Sequence, residues 1–439
     1  MFNKGNYKIF STILIFLSFF SFLVGFYFDE NSAGAGTYKG DFSFIWKNIQ
    51  LFLTHDLITA IKHQDYFTNR PPLLYILHSL FNPFVDTPEG YRRSVFGISF
   101  LVPILFYFCL KQKFKNDDKI LLLLISSTIC LSPYFRTSAY WGLEENYSFI
   151  CLLLSFLFLN NFLSSSNNTN YLTLSQLFLT IFFSSACVYF DQKFIIIPII
   201  CFLTIISTNK LVKLKIFCTI FYLILSLPFI YLILFWGGLT SPATFEANVN
   251  SITIISRMDS LYWVHIGYAT TIIAFYLLPV LLLREKNFLS FIRNFFLERK
   301  NYYWISLFFI YLFYLLIFFD FKNFTEDKYW VGLGFVHKIS IILFDSMFLK
   351  KMFTYFAFFV SWIIILIFFN KNYRDKLILL YFFVISLFLW PLMQEYFDPF
   401  ILLMIFTFFS SKLFLNYQKS IILYFYLSIL LVSANIYYS

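Results

Sequence analysis

The sequence predicts an all-α polytopic membrane protein with about thirteen transmembrane helices and interfacial helices in its first outer loop. Three observations predict it. Apolar residues make up 60% of the chain, charged residues only 13%, and the mean hydropathy is +0.74, whereas soluble proteins carry about 25% charge. Apolar runs approaching the roughly 20 residues that cross a hydrocarbon core recur along the chain. Short loops rich in Lys and Arg alternate with longer loops rich in acids. No polar stretch is long enough to form a soluble domain, so residues 1–439 read as one transmembrane domain that includes a first outer loop, 29–92.

The expected spans run roughly 9–28, 93–110, 119–133, 147–162, 171–189, 194–208, 214–235, 261–283, 303–319, 352–369, 376–392, 398–411 and 420–436. The first follows MFNKGNYK and is long enough to cross. With further spans after it, it reads as an uncleaved helix rather than a signal peptide. With the N-terminus inside, the inner loops hold more than half of the 33 Lys and Arg, although they are the shorter set. Of the 23 acids, only Asp117, Asp118, Glu285, Glu298 and Asp375 lie inside. The net charge of +10 therefore reads as positive-inside topology and not as nucleic-acid binding. The acids on the outer side need a separate reason.

The first outer loop has its own pattern. In FSFIWKNIQLFLTHDLITAIKH, Phe42, Ile45, Ile49, Phe52 and Ala60 recur at helical spacing, with Lys47, Asn48, His55 and Asp56 on the other side. Such a helix lies in the interface plane. RPPLLYILHSLF then starts a second short helix, Pro71 and Pro72 being tolerated in a first turn. Trp46, Trp141, Trp236, Trp330 and Trp390 fall near the outer edge, as an interfacial aromatic belt would. Cys109, Cys130, Cys151, Cys187, Cys201 and Cys218 all fall in apolar runs and read as small core residues. His55, His63, His78, His265 and His337 fall on or near the outer side, and the first three form no metal-ligand spacing.

The chemistry is expected where the first span ends, at FYFDENSAGAGTYKG. A carboxylate at that boundary can act as general base on a hydroxyl of an acceptor while a lipid-linked substrate keeps its phosphate at headgroup level. Asp29 and Glu30 are the first candidates, and Asp41 is the reserve. Arg70, Arg92, Arg93 and Arg136, with Lys193, are the outer cations suited to a phosphate, Arg by its bidentate fork. Glu144 and Glu145, in GLEENY, suit either sugar hydroxyls or the positive end of a helix.

On these residues the chain resembles the GT-C superfamily of integral-membrane glycosyltransferases. Those enzymes open with one span ending in an acidic motif, followed by a long outer loop with two juxtamembrane helices. The DE at 29–30, the helical 42–61 and the proline-bearing TNRPPLLYILHSLF carry the resemblance. YFDQKFIIIP, WGGLTSPATF and WPLMQEYFDPF are loosely similar to dolichyl-phosphate-glucose-dependent glucosyltransferases. Asp191-Gln192 and Gln394-Glu395-Tyr396 stand where those carry Arg-Gln and Glu-Pro-Arg-Tyr.

The resemblance implies transfer of a sugar from a polyprenyl-phosphate donor to a glycan, lipid or protein acceptor on the outer face of the membrane, in a bacterial inner membrane. It implies Asp29 as the acid of the first loop and Glu395 among the substrate-binding residues. It leaves room for a divalent cation, Mg or Mn, without fixing its ligands. The alternatives are an O-antigen-type polymerase or ligase, which depends more on arginines in central outer loops, and a transporter or flippase. The latter calls for charges inside spans and for related halves, and this sequence has neither.

Overall fold

The computed structural model describes residues 4–34, 36–68, 70–165, 171–208, 210–238, 240–241, 261–284, 293, 295–319, 332–369, 373–389, 392–410 and 412–438, and all regular structure among them is helical. Among the described residues nine helices are long and apolar enough to cross a membrane, ten if one bent pair counts as a span. This is an integral membrane protein. The parts of the outer loops at 242–260 and 320–331, with Trp330, and also Trp390, lie outside the described residues.

The chain divides into two compact units. The first comprises residues 1–256 with 427–439. Its helices are α1 (Lys4–Tyr27), α2 (Asp41–Thr54), α3 (Leu57–Lys62), α4 (Leu73–Phe81), α5 (Pro88–Ser99), α6 (Leu101–Lys113), α7 (Lys119–Ser127), α8 (Pro133–Trp141), α9 (Glu145–Ser164), α10 (Tyr171–Phe190), α11 (Ile196–Ile206) and α12 (Val212–Trp236). Here α9 packs on α10 and α6, α1 on α7, α10 on α12, and α2 on α4. The second unit, residues 257–426, holds α13 (Trp263–Arg284), α14 (Arg299–Phe318), α15 (Gly334–Leu343), α16 (Met347–Phe369), α17 (Tyr373–Phe388) and α18 (Phe400–Thr407). In it, α13 packs on α15, α16 and α17. The last helix, α19 (Tyr417–Tyr438), belongs to the first unit from Leu427 onward.

Burial follows from a lipid surround. The apolar window of α13 is 78% buried, while that of α12 is 11% buried, with Leu223, Leu227 and Leu234 all more than half exposed. A helix so apolar and so little covered is stable only where its surroundings are apolar too.

Four of the expected spans take other shapes. Segment 119–133 continues past a 68° bend into α8, because Pro133 interrupts the helix that α7 begins. Segment 194–208 gives the short α11 after a 3₁₀ turn. Segment 376–392 gives the 16-residue α17, and 398–411 the eight-residue α18, begun just after Pro399. None of the last three reaches the length of a full crossing.

In the loop 29–92 the apolar positions at helical spacing turn into the protein. Phe42, Ile45, Ile49, Phe52 and Ala60 are all buried. The single expected helix breaks at His55, because Asp56 caps a new one by accepting from the backbone N–H of Ile58 and Thr59 at 3.1 Å. Asn48, expected on the polar face, is buried, and its amide donates to the Phe67 carbonyl at 2.9 Å. That bond ties α2 to the strap leading into α4. All six cysteines are buried and unpaired.

Candidate functional site

The expected residues of the first unit gather in three ion-paired clusters, each joining segments far apart in sequence. The first begins where α1 ends. Asp29 adopts a left-handed conformation, φ 51°, in the position usually given to Gly. The N–H of Glu30 bonds to the Gly25 carbonyl at 2.9 Å, and that of Asp29 to the Phe26 carbonyl at 3.3 Å, which closes a Schellman turn. Asp accepts this conformation better than most residues, at a cost of about 1–2 kcal/mol. The turn aims Asp29 at Arg92 on α5, 2.6 Å away, with the carboxylate more than half exposed and the guanidinium buried. Arg92 also donates to Tyr140 O (2.9 Å), Tyr38 Oη (3.0 Å) and Glu89 (3.0 Å), and lies 4.0 Å from the centre of the Trp141 ring. Trp141 is accordingly buried under Arg92 rather than set in an interfacial belt.

The second cluster is Glu30 with Arg136. Nε donates to Glu30 Oε1 at 2.7 Å, and Nη2 to Oε2. The remaining N–H groups reach Ser21 Oγ (3.1 Å), Cys130 O (3.1 Å) and Ser21 O (2.8 Å). All five donors of the fork are thus taken. A Cβ on Gly25 would collide with both members of the pair and with the Tyr140 hydroxyl. A glycine here lets the ion pair lie directly on α1.

The third cluster holds the most buried carboxylates of the three. Arg70, after the proline-bearing strap, bridges Glu144 and Glu145 with its two terminal nitrogens, and its Nε lies 3.6 Å from Asp191. Lys193 is 3.2 Å from Glu145 and 3.1 Å from Asp191. Tyr75 donates to Glu144 at 2.9 Å, and Ser138 to Glu145 at 3.3 Å. Buried charges persist only when paired and hydrogen-bonded, and these are. The strap is fixed from behind. Ser241 donates to the carbonyls of Tyr66 (2.7 Å) and Thr68 (3.2 Å), and the Thr68 hydroxyl accepts from the Arg70 N–H at 3.0 Å.

The chain reaches Glu144 through Gly142, which ends α8 at φ 66° with the Tyr91 ring 2.5 Å from where a Cβ would stand. Gly142→Ala is therefore expected to cost about 2 kcal/mol or more, combining left-handed strain with overpacking against a buried tyrosine. Thermal unfolding of the detergent-purified variant tests this. An unchanged midpoint would contradict the tight turn.

Asp41 differs from all of these. It opens α2, it is exposed, and its carboxylate has no hydrogen-bond or ion-pair partner among the described residues. The surrounding protein strips enough water to raise its carboxyl above the usual carboxylate range, with Arg70 pulling it down and Glu145 adding to the rise. Asp41 thus shares its electrostatic surroundings with the third cluster.

The other predicted residues fall as follows. Arg93 is exposed, with Glu89 at 3.4 Å. Glu395 lies in a 3₁₀ turn of the second unit, where the neighbouring Gln394 donates to Tyr276 Oη at 3.1 Å. His78 is buried, which pushes it down to about 4. Its Nδ1 accepts from Asn82 at 2.8 Å, so the assigned tautomer carries its proton on Nε2, 2.7 Å from Tyr147 Oη. Among the described residues no three His, Cys, Asp or Glu are arranged to hold a metal ion.

Sequence reasoning missed Tyr38, Glu89 and Ser21 as partners of the buried arginines. Only Glu89 left a signal, its spacing of three and four residues from Arg92 and Arg93 on one helix. No family model, curated protein or solved structure matches the chain.

Proposed function

We propose that the protein is a membrane glycosyltransferase of GT-C type, moving a sugar from a polyprenyl-phosphate donor to an acceptor hydroxyl at the outer face of the membrane. The observation that carries this reading is Asp41. It is a solvent-reachable carboxylate with no protein partner among the described residues, beside a buried charged network, on a loop that positive-inside topology assigns to the outer side. Asp29 and Glu30, the other candidate bases, each hold an arginine. Protonating either would weaken an ion pair, whereas protonating Asp41 breaks none among the described residues.

In the proposed reaction Asp41 takes the proton of the acceptor hydroxyl, and that oxygen attacks the anomeric carbon. The bond from carbon to phosphate oxygen breaks on the opposite side, the electron pair leaves with the lipid phosphate, and the configuration inverts. Arg70, partly exposed, is the cation whose charge acts on Asp41, Lys193 shares carboxylates with Arg70, and Arg93 is an exposed cation of the loop. The leaving phosphate is a stable anion, so positioning and charge stabilisation supply most of the acceleration.

Incubating the purified chain with a polyprenyl-phosphate-linked sugar and following release of polyprenyl phosphate tests the reading. No release with hydroxyl-bearing acceptors across lipid, glycan and peptide classes would sink it. The O-antigen-type alternative leans on arginines, and here Arg92 and Arg136 are turned inward and held by the protein.

In this reading the bent pair is one crossing, and thirteen crossings require α11, α17 and α18, each too short to cross as a helix alone, to cross together with the chain that flanks them. Reporter fusions at Lys113 and Lys213 are expected to read cytoplasmic, and a fusion at Asp86 outside. Reversal of two of the three would discard the topology.

A further inference from the structure

Beside the Glu30–Arg136 pair runs a groove of about 410 Å³, within the range of ligand pockets, between α1 and the end of α19. Ser21, Val24 and Phe28 form one wall at helical spacing, and Leu431 and Val432 the other. Both walls belong to apolar spans, and the groove is open at Phe28 and Val432, which are 81% and 56% exposed. A lipid chain reaches such a groove laterally from the bilayer.

The polar end restricts which lipid fits. Arg136 has all five donors in use and forms a formally neutral unit with Glu30, so it offers a phosphate neither a free N–H nor net charge. Each Glu30 oxygen receives one guanidinium N–H and keeps acceptor capacity. Asn435 also faces the groove. Its amide spends one N–H on its own helix, at Leu431 O (3.2 Å), which leaves its carbonyl oxygen and second N–H without partners among the described residues. A carboxylate that can accept, next to an amide that can both accept and donate, matches a hydroxyl, which does both.

We infer that this groove binds a membrane lipid with a neutral, hydroxyl-bearing headgroup, such as a glycosyl diacylglycerol, its chain along α1 and α19 and its hydroxyls at Glu30 and Asn435. The binding does not depend on the transferase reading.

Native mass spectrometry of the full chain, released from nanodiscs containing equal amounts of a monoglucosyl diacylglycerol and a phosphatidate with the same acyl chains, reads it directly. The wild type is expected to retain the glycolipid roughly 3- to 10-fold over the phosphatidate, the worth of one or two neutral hydrogen bonds. Asn435→Leu is expected to abolish the preference while keeping some of both lipids, and Val432→Trp to lower retention of both. Ile429→Trp, at a 65% exposed position of the same helix outside the groove lining, is expected to change nothing. Equal retention by the wild type, a preference that survives Asn435→Leu, or equal effects of the two tryptophans would each overturn the site. Because lipid retention is read without turnover, its failure is distinguishable from loss of transferase activity.

Discussion

Replacing Asp41 by Asn is expected to lower turnover by about 10²- to 10⁴-fold, the usual contribution of a general base. Retention of a polyprenyl-phosphate donor should stay near that of the wild type. Asn keeps the size and much of the hydrogen bonding of Asp but cannot accept the proton. Two further results follow from the raised carboxyl of Asp41. Turnover should rise with pH along a limb set by that group and displaced upward from the ordinary carboxylate range, and Asn should remove the limb. The stability effect has the opposite sign. Between the unfolded value and the raised folded one, the folded chain holds a proton that the unfolded chain has lost. Stability therefore falls as pH climbs through that window. At neutral pH Asp41→Asn should accordingly unfold at the same or a higher temperature than the wild type, as expected where function is held at the expense of stability. Lower turnover together with a lower unfolding temperature would instead mark Asp41 as structural. Unchanged turnover would remove it as the base, and Asp29→Asn and Glu30→Gln would then decide between the acids that hold Arg92 and Arg136.

The parts of this protein that were legible in its sequence are those governed by local periodicity. The apolar runs gave, among the described residues, nine helices long enough to cross, and the spacing of Phe42, Ile45, Ile49 and Phe52 gave the buried face of α2. Length was harder to read, since Pro133 and Pro399 shorten or bend helices whose composition alone would carry them across the membrane. The candidate site was legible as an inventory and not as an arrangement. Topology placed Asp29, Glu30, Arg70, Arg92, Arg136, Glu144 and Glu145 on one side, which is necessary for them to meet. Nothing in the sequence told that the acids and arginines would neutralise one another, because those pairings cross up to 106 residues. Once they pair, the candidate acid left without a partner among the described residues becomes the informative one. That selects Asp41, which the sequence had ranked behind the adjacent Asp29 and Glu30.

Arg70→Ala should be the most destabilising single change in the charged network. The guanidinium is 22% exposed and contacts three carboxylates that are each less than a tenth exposed. Its removal leaves Glu144 with only the Tyr75 hydroxyl, and leaves Glu145 and Asp191 to share Lys193. Breaking a buried ion pair by deleting one partner typically costs 3–5 kcal/mol, mostly the penalty of the charge left behind. The expected result is a large fall in folded yield and in unfolding temperature. Arg70→Lys should recover only part, since one compact ammonium cannot span Glu144 and Glu145 as the planar fork does. A compensating change separates charge from shape: if stranded carboxylates are the cause, adding Glu144→Gln to Arg70→Ala should restore stability, whereas a cavity left by the side chain would not respond. The readout is the thermal unfolding midpoint of each detergent-purified variant, followed by size-exclusion chromatography. A double variant no more stable than Arg70→Ala would place the network's contribution in packing. A single variant with an unchanged midpoint would mean that Arg70 is not the residue holding the first outer loop against α9 and the turn at Asp191.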